Sequence, residues 1–233
     1  RSTNHKVKRP SRICTCITAG DNVSEKRVKI CGIKSDDIAN HAIISDADYL
    51  GFIFYPQSPR NISFEESTAI LNKVKNKIST VAVTVNPDDS MLNKIIEIGF
   101  SMIQLHGTES IDRVKEIKNF SSIKIIKSFG ISSKSDLAKT QSYEDIADYF
   151  LFDARPEEKD LPGGNAKTFE WSTLNDYTSK KEFFLSGGLN IENVETAVNS
   201  NQTNFFDVSS GVESSPGVKD KQKISDFIRK IKT

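Results

Sequence analysis

The sequence predicts an α/β protein built as a single-domain (β/α)8 TIM barrel, and three observations carry that expectation. From residue 27 onward, short runs rich in β-branched and aromatic residues alternate with amphipathic segments, the pattern of repeated βα units around a parallel sheet. Eight such units can be counted in roughly 200 residues, the compact end of the range for a closed barrel. An open doubly wound sheet of eight strands would leave two unpaired edges. The GxGxxG turn of its dinucleotide-binding form is also absent, because the first strand runs into CGIKSDD.

The strand candidates, in order, are RVKICGI (27–33), YLGFIF (49–54), STVAVTV (79–85), SMIQLH (101–106), IKIIKSFGI (123–131), YFLFDA (149–154), EFFLSG (182–187) and FFDVSS (205–210). Each leads through a polar loop to a helical pattern. Ser35 before Asp36 and Asp37, Ser63 before Glu65 and Glu66, and Asn190 before Glu192 supply helix caps followed by acidic residues that suit the positive end of a helix. Apolar residues fall on one stripe at Ile70, Leu71 and Val74, at Leu92, Ile95 and Ile96, and at Ile224, Phe227, Ile228 and Ile231. Those faces should cover the outside of the barrel.

A chain of 233 residues with 36% hydrophobic content can bury one substantial core, so a single catalytic domain is expected over 27–233. A negative mean hydropathy, no apolar run near the ~20 residues that cross a bilayer, and no compact apolar block at the start point to a soluble, cytoplasmic protein with no membrane partner. Cys14, Cys16 and Cys31, odd in number and irregular in spacing, read as free thiols. The formal charge of +1 divides unevenly, with +6 in residues 1–29 and −5 in the remainder. Residues 1–26 are therefore expected to be a disordered or extra basic N-terminal leader; a residual targeting segment is a weaker reading, given Asp21 and Glu25. Without aromatics or an amphipathic period, the leader gives no reason to expect a nucleic-acid partner. No metal is expected, since Cys14-Thr15-Cys16 has no second ligand pair.

In such a barrel the active site gathers at the C-terminal strand ends. These present Cys31, Arg60, Asn86, Gln104, His106, Lys127, Asp153, Gly187 with Gly188, and Asp207 with Ser209, Ser210 and Gly211. The loops LSGGLNIENV and DVSSGVES follow strands seven and eight, where glycine amides and a helix N-terminus favour a phosphate. One Gly-Gly alone is commonly a tight turn; two loops at adjacent strands are more specific. Arg60, in YPQSPRNIS, can grip a carboxylate through two hydrogen bonds, although most loop arginines are simply solvated. An isolated cysteine is most often a small buried hydrophobe, but a thiol at a strand end near positive charge can accept a proton, and Lys29 shares the strand face of Cys31. Asp153 ends the apolar run FLFD, an awkward place for a carboxylate that is neither paired nor used. His106 reads equally as a structural hydrogen-bonding group and as a second proton donor, while His41 falls in the first helix.

The motifs KICGIK, GFIFYPQSPRNIS, SMIQLHGTES, LFDA, GGNAKTFEW, LSGGLNIENV and DVSSGVESSPGVKD, in this order from about Val28 to the C-terminus, resemble the phosphoribosylanthranilate isomerase family. The resemblance implies an aldose–ketose isomerase of tryptophan biosynthesis. Its Amadori rearrangement converts N-(5-phosphoribosyl)anthranilate to 1-(2-carboxyphenylamino)-1-deoxyribulose 5-phosphate. No cofactor is implied, because the substrate's own iminium is the electron sink. By motif match Asp153 is the general acid that protonates the ring oxygen and Cys31 the base that removes the C2 proton. Arg60 matches the position that binds the anthranilate carboxylate; Gln104 and Asp207 match positions near the sugar, Gly187, Gly188, Ser210 and Gly211 surround the phosphate, and His106 is a further substrate-binding candidate. The expected partner is a phosphorylated small molecule; other tryptophan-pathway enzymes are admitted as partners, and a monomer or homodimer is expected. Three features depart from the family pattern: Ala166 where a glycine is frequent, the long loop RPEEKDLPGG, and the basic leader. The rival histidine-pathway isomerase resembles a pair of aspartates for its acid and base, so Cys31 argues against it. A silent phosphate-binding scaffold would not need Cys31, Asp153 and Arg60 together.

Overall fold

Alternation along each strand builds the barrel. In β1 (Arg27–Cys31), Val28 and Ile30 join the layer packed under the helices, while Lys29 and Cys31 point inward. The computed structural model describes residues 25–154, 171–200 and 203–233. Most of the expected leader, Cys14 and Cys16, the loop after the sixth strand and Ala166 lie outside the described residues.

After β1 come α1 (Asp36–Ile44), β2 (Tyr49–Phe54), α2 (Phe64–Val74), β3 (Ser79–Thr84), α3 (Asp89–Ile98), β4 (Met102–Leu105), α4 (Ile111–Phe120) and β5 (Lys124–Ile131). The connection to β6 (Tyr149–Ala154) holds a single turn, α5 (Lys134–Leu137), and a 3-10 helix, Ala138–Tyr143; a second 3-10 helix, Trp171–Asp176, precedes β7 (Phe183–Leu185). The chain ends with α6 (Val194–Ser200), β8 (Phe205–Val208), a hairpin of β9 (Glu213–Ser215) and β10 (Val218–Lys219), and α7 (Lys221–Lys232). The eight main strands pair in parallel in chain order, and β1 closes the ring against β8 with Arg27 opposite Phe205 and Lys29 opposite Asp207. The TIM-barrel expectation is met.

Caps fix where the helices begin. Ser35, Asp88, Ser110 and Asp220 accept a backbone N–H three residues on, and Ser63 forms a reciprocal capping box with Glu66. The stripes of α2 and α7 are buried as expected; in α3, Leu92 and Ile95 are buried whereas Ile96 turns to the surface. Inside the ring, Tyr49, Val81, Met102, Ile126, Leu151, Phe184 and Phe205 form a separate apolar plug, so the barrel is a filled core. Among the described residues, no helix is long and apolar enough to cross a membrane.

Candidate active site

The plug leaves polar groups to the strand ends, where the inward faces of β1, β4, β6 and β8 meet. Cys31 closes β1, and its register partner on β2 is Gly51. A β-carbon there would lie 2.8 Å from the Cys31 sulfur, so the missing side chain leaves the thiol its place. Burial pushes the Cys31 thiol up; the Lys29 charge pulls against it, Asp207 pushes up and Lys219 pulls down, with the balance above the ordinary thiol range. Burial likewise opposes the charge on Lys29, but Asp207 and the thiol hold this ammonium above the usual lysine range.

A hydrogen-bonded chain crosses the barrel from Lys29. Its Nζ donates to Asp207 Oδ1 at 3.0 Å and to Gln104 Oε1 at 2.8 Å, and Gln104 Nε2 meets His106 Nδ1 at 2.7 Å. His106 Nε2 then lies 3.4 Å from Asp153 Oδ2. An ammonium only donates, so it orients the Gln104 carbonyl toward itself and the amide nitrogen toward His106. The amide nitrogen also only donates. The network therefore assigns Nδ1 as acceptor and puts the ring proton on Nε2, facing Asp153. Asp153 Oδ1 accepts the Ala154 backbone N–H at 2.8 Å, while its Oδ2 faces the His106 ring.

Arg60 lies in the loop after β2, buried, with Nε and Nη2 forked onto Glu213 of β9 at 2.8 and 2.9 Å. This fork leaves its Nη1 edge for a second carboxylate. Lys219 of β10 donates to the same Glu213 at 2.7 Å and to the Ser209 carbonyl at 2.9 Å. Burial alone would push the Glu213 carboxyl up, but the Arg60 hydrogen bonds and the Lys219 charge hold it below the usual range. The hairpin turn is held close, since Gly217 has φ of 81° and a β-carbon there would meet the Pro59 carbonyl at 2.6 Å.

The two glycine loops come together at the same mouth. Gly187 and Gly188 take φ of 86° and 68°, left-handed values that suit glycine, and Gly187 packs against Asp153 and Ala154. Asn190 and Gly211 form a parallel bridge, joining the loop after β7 to the loop holding Ser210. Lys127 and Asn86 serve the rim instead. Lys127 Nζ is bound to Glu109 Oε2 and three carbonyls, and Asn86 to Glu109 and Thr108. His41 is bound on the barrel exterior to Lys221 and Ser225 of α7.

Residues 28–230 match the family model for N-(5'-phosphoribosyl)anthranilate (PRA) isomerase. The chain belongs to the phosphoribosylanthranilate isomerase family. Similar to it is the N-(5'-phosphoribosyl)anthranilate isomerase of Zymomonas mobilis subsp. pomaceae, 38% identical over 207 residues that cover 88% of this chain and 98% of that one. Among solved family members, the dimeric isomerase of Thermotoga maritima, crystallised as monomers generated from it, has a TM-score of 0.78 at 35% identity over 89% of this chain and 98% of its own. A further isomerase structure, in complex with reduced 1-(o-carboxyphenylamino)-1-deoxyribulose 5-phosphate, also has a TM-score of 0.78 at 34% identity, with the same coverage. The family assignment makes the chain an isomerase, and its barrel brings all ten sequence-predicted site residues to one end.

Three groups at this mouth escape a reading of the family motifs by single residues: Glu213, Lys219 and Gly51. The first two sit inside DVSSGVESSPGVKD, but the sequence does not show that they converge on Arg60, and 153 positions separate Arg60 from Glu213. Gly51 carries a detectable signal, a glycine at an inward position of a strand.

Proposed function

We propose that a catalytic domain spanning 27–233 carries out its isomerisation through Asp153 as acid and Cys31 as base. As a member of its family, the chain catalyses the Amadori rearrangement of N-(5'-phosphoribosyl)anthranilate, a phosphorylated small molecule of tryptophan biosynthesis, to 1-(2-carboxyphenylamino)-1-deoxyribulose 5-phosphate. The observation that carries the residue assignment is the placement of the two groups. Cys31 on β1 and Asp153 on β6 face one mouth from well-separated walls of the ring, each against its own charged or hydrogen-bonding neighbours.

Asp153 gives a proton to the ribose ring oxygen as the bond from that oxygen to C1 breaks, and the anilino nitrogen supplies the electrons for an iminium. The Ala154 N–H and His106 stabilise the carboxylate left behind. The Cys31 thiolate removes the C2 proton, the C2–H electrons flow into the iminium, and the resulting enolamine tautomerises to the ketone. Arg60 offers Nη1 to the anthranilate carboxylate while Glu213 fixes its plane. Gly187, Gly188, Ser210 and Gly211 take the phosphate; Gln104, His106 and Asp207 line the sugar side. The reading extends to a cytoplasmic enzyme that works as a monomer or homodimer, the dimeric Thermotoga relative favouring the homodimer. Other tryptophan-pathway enzymes are its proposed protein partners.

The test follows the loss of phosphoribosylanthranilate fluorescence in the wild type, Cys31→Ser and Asp153→Asn. Each variant should keep its fold and lose on the order of 10²–10⁴ in turnover, the usual contribution of a positioned acid or base. Near-normal turnover in both would sink the assignment of this proton pair.

A further inference from the structure

One cation in the barrel has no part in either proton transfer. Lys29 lies two residues before Cys31 on the same inward face of β1, and its side chain is wholly buried. Apart from Asp207 and Gln104, the barrel interior holds an apolar cluster that includes Val81, Met102, Ile126, Leu151 and Phe184. An ammonium loses its hydration there, and a methionine of similar volume would fill the place without that penalty, so packing alone gives no reason for a lysine. Its ammonium donates to Asp207 Oδ1 and Gln104 Oε1, and Cys31 is the next inward-facing residue on the same strand. These two bonds anchor the ammonium to β8 and β4 and leave one of its three donors uncommitted.

We propose that Lys29 is a positioning residue for the base: its clamped ammonium, on the same inward face of β1, stabilises by its charge the Cys31 thiolate that takes the C2 proton. This rests on Cys31 being that base. The charged groups facing the sulfur are Lys29 on its own strand, Asp207 from β8 and Lys219 from β10, while β2 presents only Gly51. Burial is the largest influence on the thiol and works against the thiolate; Lys29 is the largest influence in its favour. Asp207 has opposing effects: its charge disfavours the thiolate directly, yet it holds in place the ammonium that favours it. Lys219 is tied to Glu213 and Ser209 and adds a smaller pull from the other side.

With Cys14 and Cys16 replaced by serine, Cys31 is the one thiol in the chain. The ultraviolet absorbance of its thiolate can then be followed against pH and compared with the same protein carrying Cys31→Ser. In Lys29→Met the midpoint should rise by about one pH unit or more, as expected for losing an opposite charge at close range, and the rising limb of kcat/KM should move with it. Lys29→Gln, which keeps a polar partner for Asp207 and Gln104, makes the same comparison if the methionine variant does not fold. An unmoved midpoint in a folded neutral variant, with activity lower by the same factor at every pH, overturns the proposal and leaves Lys29 a structural ion-pair partner. If the midpoint moves while Cys31→Ser turns over normally, the assignment of the base has failed instead, and Lys29 loses its catalytic role with it.

Discussion

At the scale of single residues, the proposed base is a thiol in a place where burial favours keeping its proton. The Cys31 thiol lies above its ordinary range, and as the proposed base it is competent only once deprotonated. Activity is therefore expected to fall as pH drops through the Cys31 midpoint and to keep rising above neutrality. A profile of kcat/KM measured from about pH 6 to about pH 9 checks this; a plateau already reached at about pH 6 would exclude Cys31 as the titrating base. Cys31 and Asp153 were legible in the sequence because strand periodicity marks where each strand ends, and barrel chemistry sits at those ends. Period-two alternation also put Lys29 on the face of Cys31. Its acceptors were not legible, since Gln104 and Asp207 come from strands 75 and 178 positions away.

Among the elements, β2 matters for what it omits. Gly51→Ala would put a methyl 2.8 Å from the Cys31 sulfur and 3.1 Å from its Cα, and the short thiol side chain can yield only by turning away. The expected result is a barrel with a nearly unchanged melting temperature and kcat lower by about ten- to a hundredfold, the scale of a small misplacement of a reacting group. Wild-type kcat in a folded Gly51→Ala protein would show that the thiol has room to spare. Strand positions were readable because eight apolar runs alternate with helical ones, whereas the helices after β5 and β6 were not. The segment after β5 is dense in Ser, Thr and Asp, whose side chains compete for backbone groups. Asp136 takes the N–H groups of Ser132 and Ser133, and the chain settles into one α turn and a 3-10 helix.

Across the whole molecule, the Arg60, Glu213 and Lys219 cluster fastens the final hairpin to the loop after β2, and its strength depends on pH. Glu213 lies below its ordinary range when folded, so its stabilisation is present above the unfolded glutamate value of about 4.3 and is lost as pH falls through the lower folded value. Denaturant unfolding followed from about pH 6 to about pH 3 should show wild-type stability declining more steeply than that of Glu213→Gln; equal slopes would show that the pair adds nothing to acid stability. The closed ring was legible from the count of units and the missing dinucleotide turn, while its interior network was not, because closure brings together residues that the chain order keeps far apart. That closure also sets a timetable. The bond from Lys29 to Asp207 joins the first strand to the last, across 178 positions. On the ribosome, a chain that has laid down seven strands already holds Asp153, the proposed acid, but lacks the finished surroundings of Cys31, the proposed base. Turnover can begin only when the final strand seals the ring, so the onset of isomerase activity is a clock for the completion of folding.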